Sequence, residues 1–152
     1  IVYRYAEVLL TIAEAANELN GPSEEVYDAL DEIRSRVGMP DVDRTKYSTK
    51  ETLRELIRRE RSIELAGEGH RRADIVRWKD ASGKMVAETV LNGPLNRIVG
   101  TVDYDEPDPF RRAIVTGVER IEERQFSPHN RYLPIPQGNI DNNPELEQNP
   151  GY

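Results

Sequence analysis

Residues 53–64 read LRELIRRERSIE, and this stretch decides how the chain folds. At about 100° per residue of a helix, Leu53 and Leu56 mark one apolar face. Glu60 and Glu64 project onto the centre of that same face. A carboxylate that faces a core must be protonated, paired or hydrated, because burying it without a partner costs several kcal/mol. The stretch therefore predicts a helix whose inner face carries two acids that need partners.

Arginines close in sequence are the candidate partners of these acids. They are Arg58, Arg59, Arg61, Arg71, Arg72 and Arg77. The last three lie on a short fourth helix, predicted over 71–78, which the Gly67–Gly69 turn folds back onto the third helix. We therefore predict a partly buried network in which guanidinium groups pair with carboxylates and pin the two helices together. Its predicted members are Glu60, Glu64, Arg61, Arg71, Asp74, Arg77 and Trp78.

Two interpretations of the paired acids stay open at this point. In the first, Glu60 and Glu64 are the acid and base of a glycosidase. In the second, they belong to a structural network. We favour the second because surrounding arginines stabilise the ionised form of both acids, whereas a general acid must hold a proton.

Composition excludes several classes of function. The chain has 152 residues, about one ordinary domain, with 21 Lys+Arg against 28 Asp+Glu and a net charge of −7. This balance gives no electrostatic case for nucleic acid or an anionic membrane surface. The absence of Cys excludes disulfides, thiolate metal sites and a cysteine nucleophile. Because Ile1 opens directly into helical periodicity, without a signal segment, we expect a C-terminal piece of a longer protein.

The first 37 residues predict an antiparallel helical hairpin, with breaks at Gly21 and Gly38. The stripe of the first helix consists of Val2, Tyr5, Ala6, Leu9, Ile12, Ala13 and Ala16, and that of the second consists of Val26, Ala29, Leu30, Ile33 and Val37. The hairpin has about the length of a tetratricopeptide repeat but occurs only once.

The remainder divides into three parts. Residues 48–79 contain the third and fourth helices; the third is predicted over 49–66 and starts in a Ser48/Glu51 capping box. Residues 81–125 are punctuated by Gly and Pro, which predicts irregular structure that could include a minor hairpin. Residues 126–152 are rich in Pro and Asn and are expected to wrap across the helices. Their predicted apolar anchors are Tyr132, Leu133, Ile135, Ile140 and Leu146.

Other chemical candidates are weaker. His70 and Asp74 have the i, i+4 spacing of metal ligands but no further His or Cys, so we predict no metal site. Asp41-x-Asp43 and Asp103-x-Asp105 begin like calcium loops, but neither continues as one. Two aromatic side chains could stack on sugar rings, although aromatics beside apolar runs are usually part of a core. These two are Trp78 and Tyr132.

Taken together, these residues resemble the C-terminal region of the SusD/RagB family of surface glycan-binding lipoproteins. Several separate segments recur in the family's order. They are Tyr3–Leu10 with Ala13–Ala15, Ile33–Pro40, Ile57–Arg61 with Glu64-Leu65, Glu68–Arg71 with Asp74 and Arg77-Trp78, Leu133–Pro136, Asn143-Pro144 and Gln148–Tyr152. Residues 81–125 carry little family character.

The resemblance implies a mainly α-helical protein with tetratricopeptide-like hairpins and an irregular, loop-rich C-terminal third. It implies a lipid-anchored protein on the outer face of the outer membrane, with the anchor outside this chain. There it would be the lid of a SusC-like TonB-dependent transporter and would capture oligosaccharides for import, without catalysis or a cofactor. The alternative is a tetratricopeptide-type protein–protein interaction module.

The resemblance carries no binding residue onto this chain. Within the chain, the variable region 81–125 is where ligand contacts are to be sought. The candidates there are Asn92, Asn96, Tyr104 and Phe110.

Overall fold

The computed structural model describes residues 3–152, which form six α-helices and one β-hairpin. The predicted stripe residue Val2 and the opening Ile1 lie outside the described residues. The chain divides into two compact units, one reaching to Arg71 and the other running from Arg72 to Tyr152. The predicted mainly α-helical class is confirmed.

Three helices build the first unit: α1 (Tyr5–Asn20), α2 (Glu24–Ser35) and α3 (Lys50–Glu64). α1 packs against both α2 and α3. Their shared core is apolar, and its fully buried large side chains are Leu10, Val26, Leu30, Leu53 and Ile57. The hairpin predicted from the first 37 residues is therefore present, and α3 closes its apolar side.

The inner face of α1 is rotated relative to the predicted stripe. Tyr5 and Ile12, both predicted to face the core, are exposed, whereas Leu10 and Asn17 are fully buried. Asn17 satisfies its amide by donating from Nδ2 to the carbonyl oxygen of Lys50 at 3.0 Å. Alanines on several sides of α1 made its apolar stripe ambiguous, and packing against two helices at once selects a different face.

Two helix ends differ from the prediction. α2 ends at Ser35, so Val37 lies beyond the helix and is exposed, contrary to its place in the predicted stripe. The N-terminus of α3 is capped by Thr49 and Thr52 instead of Ser48 and Glu51. A threonine hydroxyl at the third helical position can replace the expected carboxylate, because either group can accept the backbone N–H of the cap residue.

The second unit has a core of its own. It contains most of α4 (His70–Arg77), followed by α5 (Val86–Val90). Ile75, Trp78 and Met85 are buried together, with Ala87 beside them. Trp78 is thus a core residue, as the more usual interpretation of an aromatic beside an apolar run predicted.

An antiparallel hairpin dominates the variable region. Strand β1 (Gly93–Val102) pairs with β2 (Ala113–Arg124), and β-bulges interrupt the register at two places. The hairpin is longer than the short β-branched runs indicated. Asn92 fastens its base: its side chain accepts from the backbone N–H of Phe126 at 2.6 Å and donates to the carbonyl oxygen of Glu88 at 2.7 Å.

Side-chain amides hold the last segment, residues 126–152, by making backbone hydrogen bonds that a neighbouring strand could otherwise make. It contains a 3₁₀ turn (Pro128–Arg131) and α6 (Gln137–Asn142). Gln148 accepts from the N–H of Ile135 at 2.8 Å and donates to its carbonyl oxygen at 2.9 Å. Arg72 of α4 donates to the carbonyl oxygen of Asn130 at 2.8 Å.

Two predicted anchors of this segment, Tyr132 and Leu133, are exposed, so the prediction that they are buried is wrong. Leu133 is exposed, while Asn149 Nδ2 donates to its carbonyl oxygen at 2.7 Å. The Leu133 backbone is therefore held by a hydrogen bond instead of by burial of its side chain. The expected wrapping of residues 126–152 across the helices of the first unit stays a prediction.

Candidate functional site

The inner acids of α3 are held by arginines from other helices. Arg34 at the end of α2 donates from Nη1 to Glu60 Oε1 at 2.5 Å, and only 14% and 11% of these two side chains is exposed. Arg34 also donates from Nε to the carbonyl oxygen of Pro40 at 2.7 Å. One guanidinium therefore ties α3 to α2 and to the turn that follows α2.

Glu64 receives two guanidinium groups. Arg36 donates from Nη2 to both carboxylate oxygens of Glu64 at 2.7 Å. Arg4 donates to Oε1 of Glu64 and to the backbone carbonyl oxygen of Glu64. Arg4 also donates from Nε to both oxygens of Glu68 at 2.9 Å. The hydrogen bonds to Glu68 and Glu64 raise the pKa of Arg4, and the bond from Arg4 lowers the pKa of Glu68. These groups form a charge-assisted cluster at the end of α3.

The arginines that the structure places on Glu60 and Glu64 were not among the candidates from the sequence. Arg4, Arg34 and Arg36 lie 26 to 60 positions along the chain from the acids that they bind, and only the packing of α1 and α2 on α3 brings them near. The sequence signal that could have found two of them is the Arg34-x-Arg36 pair just before the Gly38 turn. The pairing of α3 with α4 through Arg71 stays a prediction.

Four other predicted network members have partners within their own unit, namely Arg61, Asp74, Arg77 and Trp78. Arg61 is buried on α3, with its Nε 3.8 Å from Glu14 Oε2 of α1 and its Nη1 3.4 Å from the hydroxyl of Thr11. In the second unit, Arg77 donates to Asp74 at 2.8 Å, and its guanidinium lies 5.3 Å from the centre of the Trp78 ring.

A further pair joins α1 to α3 nearer solvent. Arg54 donates from Nη2 to Glu18 Oε2 at 2.8 Å and from Nε to Oε1, and Lys50 Nζ lies 3.6 Å from Oε2. The hydrogen bond from Arg54 is the largest influence that lowers the pKa of Glu18. Because the carboxylate is partly exposed, solvent screening keeps its contribution below about 1 kcal/mol.

This pair should make stability depend on pH in the acid range. A folded-state pKa below the unfolded value, about 4.3 for Glu, gives stability that is present above pH 4.3 and lost as the pH falls through the folded value. We expect urea unfolding to show the parent chain more stable than Glu18→Gln near neutral pH, and the difference to shrink as the pH falls below the unfolded value of about 4.3. Glu25→Gln, at an exposed position of α2, is the matched control. A difference that persists in acid would contradict the assignment.

The weak metal candidates have protein partners. His70 Nδ1 lies 3.4 Å from Glu7 Oε1, and the Asp74 carboxylate accepts from Arg77. Asp43, the second acid of the first calcium-like run, and Asp103, the first acid of the other, accept backbone N–H groups of their own turns. Over residues 3–152, no group of three or more His, Asp or Glu side chains is arranged to hold a metal ion.

Exposed aromatic rings occur at the end of the hairpin. The Tyr104 side chain is 80% exposed and Phe110 is 95% exposed, both in the loop between β1 and β2. Asn92, another candidate ligand contact, is instead engaged with backbone groups at the base of the hairpin. Asn96 pairs with Arg120 across the strands.

Chemically, the acids of α3 are suited to holding the fold together. Both carboxylates are mostly buried and accept hydrogen bonds from guanidinium groups, whereas a glycosidase needs one of its two acids protonated at the substrate. A model of the SusD family matches residues 1–152, the whole chain.

The chain belongs to the SusD family. Among curated relatives in Formosa agariphila, SusD-like protein P25 is 42% identical over 79 residues, 51% of this chain and 15% of that protein. SusD-like protein P2 is 39% identical over 138 residues, 86% of this chain and 25% of that protein. The chain therefore spans a quarter or less of the length of these relatives.

Solved SusD-like structures have the same fold. A SusD-like protein from Bacteroides fragilis superposes with a TM-score of 0.74 at 32% identity, covering 100% of this chain and 26% of its own. A SusD homologue from Bacteroides thetaiotaomicron gives a TM-score of 0.58 at 30% identity, covering 98% of this chain and 26% of its own. In the part of the chain that the structure describes, every helix is too short or too polar to cross a membrane.

Proposed function

We propose that this chain is the C-terminal part of a protein that captures glycans at the bacterial cell surface. The single observation that carries the proposal is the SusD-family match over the whole chain, because one family model accounts for the helical hairpin and the C-terminal segment together. The full-length protein would be lipid-anchored in the outer membrane, where it acts as the lid of a SusC-like TonB-dependent transporter and delivers oligosaccharides for import.

Within such a protein, the first unit serves as a scaffold without catalysis. The guanidinium groups of Arg34, Arg4 and Arg36 occupy the carboxylates that a hydrolase would need free. An ion-pair network of this kind fixes the packing of helices, and a rigid frame lowers the entropic cost of binding a ligand elsewhere on the molecule.

The exposed loop between β1 and β2 is the surface of this chain that we propose to contact the glycan. Tyr104 and Phe110 present nearly whole rings to solvent there. An aromatic ring can cover the apolar C–H face of a sugar, and its large area makes it a frequent centre of binding energy. Asn92 forms hydrogen bonds with the backbone of Phe126 at the base of the hairpin, so the strands that carry the loop start from a fixed position.

The test is titration calorimetry of the full-length protein. A panel of oligosaccharides first identifies a ligand, and the Tyr104→Ala/Phe110→Ala double variant is then compared with the parent protein. We expect the double variant to bind about tenfold or more weakly, since loss of a central aromatic contact costs about 1–2 kcal/mol or more.

The matched control is Ile98→Ala, which removes an exposed apolar side chain from the same hairpin. Its affinity should equal that of the parent. If the double variant binds as tightly as the parent, the loop is not a glycan contact. If no oligosaccharide binds the full-length protein and it hydrolyses one instead, the proposed function itself is wrong.

A further inference from the structure

Two exposed arginines of the second unit meet at the 3₁₀ turn. Arg72 of α4 donates from Nη2 to the carbonyl oxygen of Asn130 at 2.8 Å, and Arg131 is the next residue of the turn. Both arginines are exposed to solvent. The guanidinium group of Arg72 therefore contacts the peptide unit that joins Asn130 to Arg131. We call Arg72 and Arg131, with the tyrosines described below, the basic patch.

The arginines of the basic patch lack acidic partners. Arg97 of the hairpin, for comparison, lies 2.8 Å from a carboxylate oxygen of Glu119. Among residues 3–152, no carboxylate lies within ion-pair distance of Arg72 or Arg131. Two neighbouring guanidinium groups without a carboxylate can bind an anion that comes from outside the chain, because their charge is not neutralised locally.

Tyr132 holds the guanidinium group of Arg131 in place. The group lies 4.5 Å from the centre of the Tyr132 ring, and Nη2 donates to the Tyr132 hydroxyl at 2.6 Å. A guanidinium has five N–H donors, so this single hydrogen bond leaves the others available to a ligand. A cation that is already held over a ring loses less conformational freedom when it binds an anion.

Tyr152 supplies a second ring and fixes the turn. Its hydroxyl donates to the carbonyl oxygen of Tyr132 at 3.0 Å and accepts from Asn130 Nδ2 at 3.2 Å. His129 packs edge-on against the Tyr152 ring, with the ring centroids 5.1 Å apart. Tyr132 and Tyr152 nevertheless remain 40% and 46% exposed. The basic patch therefore places two aromatic rings that solvent reaches beside two cations.

This combination matches a sugar that carries an anionic group. A guanidinium fork binds the oxygens of a carboxylate or a sulfate through paired N–H donors. An aromatic ring can cover the apolar C–H face of the same sugar. Nucleic acid also combines phosphates with stacking bases, but the net charge of −7 provides no extended basic surface for it.

We propose that the basic patch is a second glycan contact and that it selects acidic sugars, either uronates or sulfate esters. This inference rests on the proposed capture of glycans and deepens it, because it names the class of glycan. Its residues are different from Tyr104 and Phe110 of the β1–β2 loop, so substitutions can address the two contacts separately.

Titration calorimetry of the full-length protein provides the test. The probes are a galacturonate tetrasaccharide, a sulfated carrageenan tetrasaccharide and a neutral galactose tetrasaccharide. Arg72→Gln/Arg131→Gln removes both cations of the patch. Arg97→Gln/Arg120→Gln makes the same change of charge at exposed positions of the hairpin and is the matched control. Arg131→Gln alone retains the bond from Arg72 to Asn130, so it removes a cation without releasing the turn.

We expect at least one acidic tetrasaccharide to bind the parent protein more tightly than the neutral one. The double variant of the patch should bind it at least about tenfold more weakly, and Arg131→Gln at least about threefold more weakly. The control should bind within about twofold of the parent, because exposed charges away from the ligand are screened by salt. The acidic probe that binds more tightly identifies the anionic group.

Three results would overturn the selection of acidic sugars while glycan capture still stands. They are tightest binding of the neutral tetrasaccharide, equal affinity of the patch variants and the parent for the acidic one, and an equal loss of affinity in the control. A full-length protein that binds no oligosaccharide, acidic or neutral, would contradict both the inference and the proposed function.

Discussion

Glu60→Ala is expected to lower the free energy of unfolding by about 3–5 kcal/mol, because it leaves the Arg34 guanidinium buried without its carboxylate. Both side chains are largely withdrawn from water, and their contact joins α2 to α3. Removing one partner of a buried pair costs far more than the pair itself contributes, since the remaining charge cannot be solvated. Urea unfolding followed by far-ultraviolet circular dichroism measures the change.

The control for this variant lies on the same helix. Glu55→Ala makes the same chemical change at an exposed position of α3, where the carboxylate is 3.6 Å from Arg58 Nη1. It should change stability by no more than about 0.5 kcal/mol, so any effect of alanine on helix propensity is subtracted by the comparison. Equal losses for the two variants would contradict the assignment of Glu60 to a buried pair.

A double variant separates the role of the charge from the role of the space it fills. Glu60→Leu combined with Arg34→Met replaces both ends of the pair by apolar side chains of similar length. We expect it to recover most of the stability lost by Glu60→Ala, because no buried charge then lacks a partner. Failure to recover would mean that the bond from Arg34 to the carbonyl oxygen of Pro40 is the larger contribution.

The sequence was sufficient to predict that α3 turns acids inward, because helical periodicity is a local property. Leu53 and Leu56 define the face, and Glu60 falls on it and is buried. The identity of the donors was not predictable in the same way. Arg34 and Arg4 approach α3 only through the packing of α1 and α2, and a search confined to nearby arginines could not find them.

α1 and the hairpin show two other limits of local patterns. α1 has apolar residues on two faces, and only its partners decide which one is buried; Ile12 therefore remained exposed while Asn17 entered the core. In the hairpin, bulges at Leu95/Asn96 and Val99/Gly100 interrupt the alternation of side chains. A strand with interrupted alternation reads as several short runs, which is why its length was underestimated.

The core of the second unit, which runs from Arg72 to Tyr152, is the subject of the other prediction with a large effect. Trp78→Ala is expected to lower the free energy of unfolding by about 3–5 kcal/mol, because it removes the largest side chain of a small cluster and leaves a cavity beside Ile75 and Met85. The carbonyl oxygen of Trp78 also accepts from the N–H of Val86 at 3.0 Å, so a shift of the backbone there would loosen the start of α5. Far-ultraviolet circular dichroism is the suitable probe, since Trp78 is the only tryptophan.

A comparison with Tyr104→Ala distinguishes a core aromatic from a binding aromatic. Trp78 is 4% exposed, so its ring cannot lie against a sugar in the folded state, whereas Tyr104 is almost entirely exposed. We expect Trp78→Ala to reduce stability, and Tyr104→Ala to leave stability within about 0.5 kcal/mol while it weakens glycan binding. Trp78→Phe should retain most of the parent stability, because a ring still fills most of the space. A Trp78→Ala variant that unfolds like the parent would show that the cluster of α4 and α5 contributes little to the second unit.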